Sequence, residues 1–193
     1  MNELTQYLKN NISITDAIQE KLNKISVKKE IQKGESVLSE DSLKKQHIFV
    51  LSGCLRSFYR MENGKEVTIQ FAIKNWWIGD YITFYTDNKS ILSIEGLAKS
   101  EILLLDKIEL EKLYLEYPEI ATFQRKSFEK RIAALQKRIL SLLTLSASEK
   151  YSQFINDYAA FEKVIPNYQI ASFLGITPES LSRIRKENIN FLP

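Results

Sequence analysis

Residues 168–187, YQIASFLGITPESLSRIRKE, concentrate side chains suited to reading a polar, anionic partner. Arg183 carries the planar fork that bonds bidentately to guanine O6 and N7, and Glu179 is an acceptor that matches the N4 amino group of cytosine. The two stand four residues apart, which places them on one face of a helix. Arg185 and Lys186 suit phosphates. Gln169, Thr177, Ser180 and Ser182 complete the candidate DNA-contacting set with neutral hydrogen-bonding groups.

Other chemistries lack their residues. A single cysteine, Cys54, forbids an intrachain disulfide. With one histidine, His47, neither a Cys/His zinc site nor an iron–sulfur cluster can be assembled. A Ser–His–Asp triad would have to use His47, which opens the apolar run HIFVLSGCL and reads as a strand residue. Cys54 reads as a small packing residue rather than a nucleophile. A cupin-like metalloenzyme would need several His and carboxylate ligands. We therefore assign no catalytic residues, no metal ligands and no cofactor, and expect a protein that is not an enzyme.

The elements that must position the 168–187 set can be read from spacing. Ile170 and Leu174 are the apolar positions of a first short helix, and Leu181 and Ile184 those of a second. Ala171 is small enough for two helices to cross closely, and Gly175 supplies the tight turn where a Cβ would be strained. Thr177-Pro178-Glu179 reads as a helix start: a hydroxyl cap, proline at the first helical position, and an acid at the positive end of the dipole. The pattern is a helix-turn-helix. Burying Leu181 and Ile184 turns Glu179, Ser180, Ser182, Arg183 and Lys186 outward.

Charge agrees with that placement. Residues 1–120 hold 16 Lys and Arg against 18 Asp and Glu, whereas residues 121–193 hold 11 against 6. A basic C-terminal third is the footprint of nucleic-acid binding. No apolar run reaches the length of a membrane span, and MNELTQYLKNN lacks the apolar core of a secretory signal. A cytoplasmic protein with no membrane partner is expected.

Upstream, the hydrophobic period changes twice. Residues 2–25 have mostly helical spacing and predict one or two short helices. From Val27 the period is that of strands, with a turn at Lys33-Gly34 and a hairpin whose Asn63-Gly64 pair favours a type I′ turn. Short strands with Gly turns over roughly 27–106 predict a small sandwich or barrel. From Lys107 a short helix runs to Pro118. A long helix over about 119–145 follows, which would extend about 40 Å. Phe128, Ile132, Leu135, Ile139 and Leu142 form a seam with the spacing of a two-helix contact, expected to be a dimer interface. Another helix follows, capped by Ser146 or Ser148. The expected domains are 1–117 for the β-rich unit with its N-terminal helices, 118–145 for the long helix, and 146–193 for the helix-turn-helix.

FVLSGCLRSFYRMENGKEVTIQF, WWIGDYITF, SASEKYSQF and IPNYQIASFLGITPESLSRIRK together resemble the Crp/Fnr type of bacterial transcription regulators, in that family's order and over nearly the whole chain. The similarity is greatest to the branch found in Bacteroidetes-type bacteria. It implies an α+β fold: an N-terminal jelly-roll sensor of the cyclic-nucleotide-binding kind, a long dimerisation helix and a C-terminal winged helix-turn-helix. It also implies a homodimer on a pseudo-palindromic operator, with RNA polymerase as a further partner. The family's base-reading positions fall on Glu179 and Arg183, while the position often held by arginine in cyclic-AMP-responsive members is Pro178. Only seven residues follow Lys186, so a wing must be reduced.

The sensor departs from the family pattern. Gly79-Asp80 stands where a Gly–Glu pair is expected, and the Arg–Ser pair that holds a cyclic phosphate falls near Lys89-Ser90. Residues 74–100 contain no arginine, so the bidentate phosphate clamp is missing. Trp77, Gly79, Asp80, Lys89 and Ser90 are the candidate effector-pocket residues, for an effector other than cyclic AMP. The expected function is transcription regulation by a DNA-binding homodimer under control of an effector. The alternatives are an effector-binding or interaction module that does not touch DNA, or the cupin-like enzyme.

Overall fold

The computed structural model describes residues 3–86, 88–159 and 162–189. Helices α1 (Glu3–Lys9) and α2 (Asp16–Ile25) bury Leu4, Leu8, Ile18 and Leu22, the apolar positions of their helical spacing. Thr15 caps α2 by accepting from the Ile18 amide. At Ser26 the chain becomes extended, and among the described residues eight strands follow: β1 (Ser26–Ile31), β2 (Ser36–Leu38), β3 (Gln46–Ser52), β4 (Cys54–Arg60), β5 (Glu66–Ile73), β6 (Trp77–Ile78), β7 (Ser93–Gly96) and β8 (Ser100–Asp106).

They form two four-stranded antiparallel sheets, β1-β8-β3-β6 and β2-β7-β4-β5. Between the sheets lie Ile31, Ile48, Val50, Leu55, Ile78, Ile94 and Ile102. The other face of the first sheet carries Phe49, Leu51, Leu103 and Leu105, covered by α1, α2 and the helices after β8. Strand β3 is thus buried on both faces, which is why its sequence is a continuous apolar run rather than an alternating one.

The β4–β5 hairpin corrects one expectation. Of Asn63 and Gly64 only Gly64 takes a positive φ, at 79°. A type I′ turn needs both. Instead the Gly64 amide donates to Met61 O at 2.8 Å, and the Lys65 amide bonds the Asn63 side chain at 3.0 Å. Asn63 acts here through its side chain, satisfying a backbone donor.

Helix α3 (Lys107–Glu116) is capped by Asp106 and ends at Tyr117, before Pro118. Helix α4 (Pro118–Thr144) runs 27 residues with proline at its start. Of the five seam residues, Ile132, Leu135 and Ile139 lie on the surface, 56%, 41% and 55% exposed. Phe128 and Leu142 are half-buried in their own chain. Phe128 sits against Tyr81, ring centroids 5.6 Å apart, and Leu142 lies beneath Gly175.

Helix α5 (Ala147–Tyr158) begins with a capping box in which Ser146 and Glu149 satisfy each other's amides. Helices α6 (Asn167–Leu174) and α7 (Pro178–Ile189) complete the fold. Tyr151, Phe154, Ile170, Phe173, Leu181 and Ile184 form a core that continues into Cys54 and Phe71 of the second sheet and Leu97 just after β7. The C-terminal helices therefore pack directly on the β-roll. Cys54 is buried there, and burial pushes its thiol pKa up to about 12. No described helix is long and apolar enough to cross a membrane.

Candidate nucleic-acid interface

The α6–α7 turn is built around Gly175, whose φ of 64° is left-handed. Its amide and that of Ile176 donate back to Ser172 O and Ala171 O at 3.2 and 3.0 Å, closing the end of α6. Thr177 then caps α7, accepting from the Ser180 amide at 3.2 Å, with Pro178 at the first helical position. Leu181 and Ile184 are buried against α5 and α6. That rotation leaves Glu179, Ser182, Arg183 and Lys186 exposed along one side of α7. Ser180 is half-buried, its hydroxyl 3.1 Å from that of Thr177.

Two residues of the expected DNA-contacting set are placed elsewhere. Gln169 is only 2% exposed. It lies on the face of α6 turned toward the β-roll, where its amide oxygen, oriented to Arg56, accepts from that guanidinium at 3.0 and 3.3 Å. Arg185 is directed inward as well. It ion-pairs with Glu162, bonds the Asn167 side chain and donates to the Tyr151 hydroxyl at 3.1 Å. A guanidinium so engaged is a strut between α7, α5 and the segment before α6, not a free phosphate ligand. The helical repeat of α7 shows which side faces away from its own apolar stripe. It does not show that Glu162 and Tyr151 will stand beside Arg185.

The expected effector-pocket residues do converge, but on one another. Asp80 is buried and accepts from the Ile82, Thr83, Ile91 and Leu92 amides at 3.1 to 3.4 Å, and from the Ser90 hydroxyl at 2.7 Å. Its carboxylate ties the segment after β6 to the one before β7, and no donor set is left over for a ligand. Gly79 lies between Phe84 and the Gln46 carbonyl. Lys89 is exposed, 3.9 Å from Asp41. Trp77 is core, packed on Phe49 with ring centroids 4.9 Å apart. His47, among Trp77, Tyr81, Phe84 and Phe128, is buried deeply enough to lower its pKa to about 4 and keep it neutral.

A cavity of about 610 Å³ opens elsewhere, between the middle of α4, strands β5 and β6, and helices α5 and α6. Trp76, Tyr158 and Phe173 give it aromatic walls, and Arg131 and Arg138 reach into it from α4. Neither arginine makes a salt bridge among the described residues. Arg131 donates to Trp77 O, and Arg138 to Ile69 O, Thr68 O and Phe173 O. Burial lowers the pKa of both. In the sequence these arginines read as polar spacers of α4. Their seven-residue separation, which keeps them on one face, was the available signal.

Residues 28–117 match the family model of the cyclic nucleotide-binding domain. A protein of Rhizobium leguminosarum bv. viciae named "probable transcriptional activator" is 25% identical over 175 residues, covering 84% of this chain and 70% of its own. Among solved structures, FixK2 from Bradyrhizobium japonicum superposes with a TM-score of 0.74 at 17% identity, over 86% of this chain and 85% of its own. A Crp/Fnr-family regulator from Eubacterium rectale gives 0.69 at 14% identity, over 92% and 85%. The chain thus carries a cyclic nucleotide-binding domain, is similar in sequence to a transcriptional activator, and shares with Crp/Fnr-type regulators the fold of a β-roll followed by a long helix and a helix-turn-helix.

Proposed function

We propose that this protein is a transcriptional regulator of the Crp/Fnr type, a homodimer that reads a pseudo-palindromic DNA operator with α7 in successive major grooves. The observation that carries this reading is the outward side of α7. Glu179 and Arg183 are exposed, one turn apart, on a helix locked by a left-handed turn, a threonine cap and two buried apolar residues. Rigid placement on a helix is what base readout requires. Lys186 is left for phosphate. The dimer forms through Ile132, Leu135 and Ile139 of α4, apolar residues exposed in a single chain. Half-sites then lie about 34 Å apart.

The domain type implies a cyclic nucleotide, and the residues present do not fit one. The phosphate clamp has no arginine, and the carboxylate of Asp80 already holds the donors that a phosphate would seek. The effector site is instead the cavity between α4, β5 and the C-terminal helices. Its volume and aromatic walls suit a small ring-bearing molecule, and Arg131, which makes a single backbone hydrogen bond, favours an anion together with Lys130, Lys137 and Lys150, which outnumber Asp157 in the lining. A ligand there touches the sensor, the long helix and the helix-turn-helix at once, and shifts the population of arrangements by its differential affinity.

The test is selection of bound duplexes from a random pool by the purified chain at near-physiological salt. Enrichment of an inverted repeat with half-sites about one turn apart is expected. Binding of DNA with no sequence enriched, with and without a small-molecule extract, would contradict it.

A further inference from the structure

Strand β5 is an edge strand, the last in the order β2-β7-β4-β5. Edge strands expose unpaired backbone donors and acceptors that must be covered or solvated. Here two side chains from outside the β-roll cover them. The hydroxyl of Ser172, on α6, accepts from the Thr68 amide at 2.9 Å and donates to Glu66 O at 3.1 Å, as a neighbouring strand would. Arg138, on α4, donates to Ile69 O, Thr68 O and Phe173 O, and its guanidinium stacks on the Phe173 ring at 3.9 Å. One guanidinium thus joins the long helix, the sheet edge and the end of α6, the helix whose turn carries α7. Gln169 and Arg56 add a polar contact across the same junction.

We propose that Arg138 and Ser172 are positioning residues that clasp the helix-turn-helix to the bare edge of β5, and so fix the spacing at which the two α7 helices of a dimer meet DNA. Beside the clasp, the helix-turn-helix is held by the apolar packing of Phe154 and Phe173 on Phe71, which is non-directional, and by the short connection between α4 and α5 at Leu145-Ser146. Neither residue faces the groove of DNA. Both act through the placement of α7. The inference rests on the dimeric DNA-binding reading above.

Spacing preference is the property that isolates this role. Moving one half-site by a base pair displaces it by about 3.4 Å and rotates it by about a tenth of a turn. A clasped dimer must strain to follow, whereas a loose one reorients. The experiment compares the full chain with Ser172→Ala, Arg138→Lys and the double variant. Operators from the selection carry the half-sites one base pair closer, unchanged, or one farther. Lysine keeps the charge but carries its donors on one nitrogen, without the planar fork that reaches the three carbonyls from two nitrogens and stacks on Phe173. The wild type is expected to lose about tenfold or more in affinity per shift, comparable to a mismatched base pair. The double variant should lose only about two- to threefold, with base preferences within each half-site unchanged.

A double variant that keeps the wild-type spacing penalty would overturn the clasp. A wild type that binds no DNA would overturn the dimeric reading itself. Amide exchange gives a readout without DNA: Thr68 should exchange slowly in the wild type and quickly in Ser172→Ala. Unchanged protection would also overturn the proposal.

Discussion

Asp80 and Arg183 are both charged side chains at positions expected to bind something, and they differ in where their hydrogen bonds go. Asp80 is buried and takes four backbone amides and a serine hydroxyl from its own chain. Arg183 is exposed on a rigid helix and makes no hydrogen bond or ion pair among the described residues. The first is a closed polar network, which folds a loop and has no capacity left for a ligand. The second keeps its donors for a partner. The same distinction separates Arg183 from Arg185, two residues on. Arg185 spends its donors on Glu162, Asn167 and Tyr151.

Substitutions that alter one region and spare the other test this contrast. The largest effect is expected from Ile139→Glu, which leaves both regions folded but places a charge in the seam of α4. If two recognition helices act together, affinity for the selected operator should fall by about a hundredfold or more, because the second half-site no longer benefits from a high effective concentration. Sedimentation should show a monomer. A dimer with unchanged DNA binding would mean that the seam lies elsewhere.

Asp80→Ala comes next. It leaves buried amides and the Ser90 hydroxyl without an acceptor, which costs about 2–3 kcal/mol of sensor stability in a denaturant titration. Base preference on DNA should not change. Full stability retained in this variant would show that the network is not what closes the loop. The smallest effects separate Lys186 from Arg185. Lys186→Ala should weaken binding across all sequences and lower the salt slope by about one. Arg185→Ala should leave that slope as it is and cost about 1 kcal/mol of stability, because its partners are intramolecular. A reduced salt slope for Arg185→Ala would place it at a phosphate instead.

Much of this was legible in the sequence because it is local. The changes of hydrophobic period at Val27 and Lys107 fall within one residue of the starts of β1 and α3, and the burial of Leu181 and Ile184 follows from their spacing. The glycine turn and the Thr177-Pro178 start are local too. What was not legible depends on elements distant in the chain. Nothing near Gln169 announces that Arg56 will face it, and nothing near Ser172 announces the open edge of β5. The cavity escaped for the same reason: its walls come from residues as far apart as Trp76, Arg138 and Phe173. The Asn63-Gly64 pair did signal a turn, but only the fold decided that Asn63 serves through its side chain.

The most direct test of the central claim is a specificity profile. Binding of the selected operator and of each single-base variant would be measured for the wild type and for Arg183→Ala. If Arg183 reads a base, the variant loses about 1–3 kcal/mol on the operator and becomes indifferent to base identity at one position of each half-site, with the others unchanged. A variant that keeps the complete wild-type profile would contradict the assignment of α7 as the reading helix.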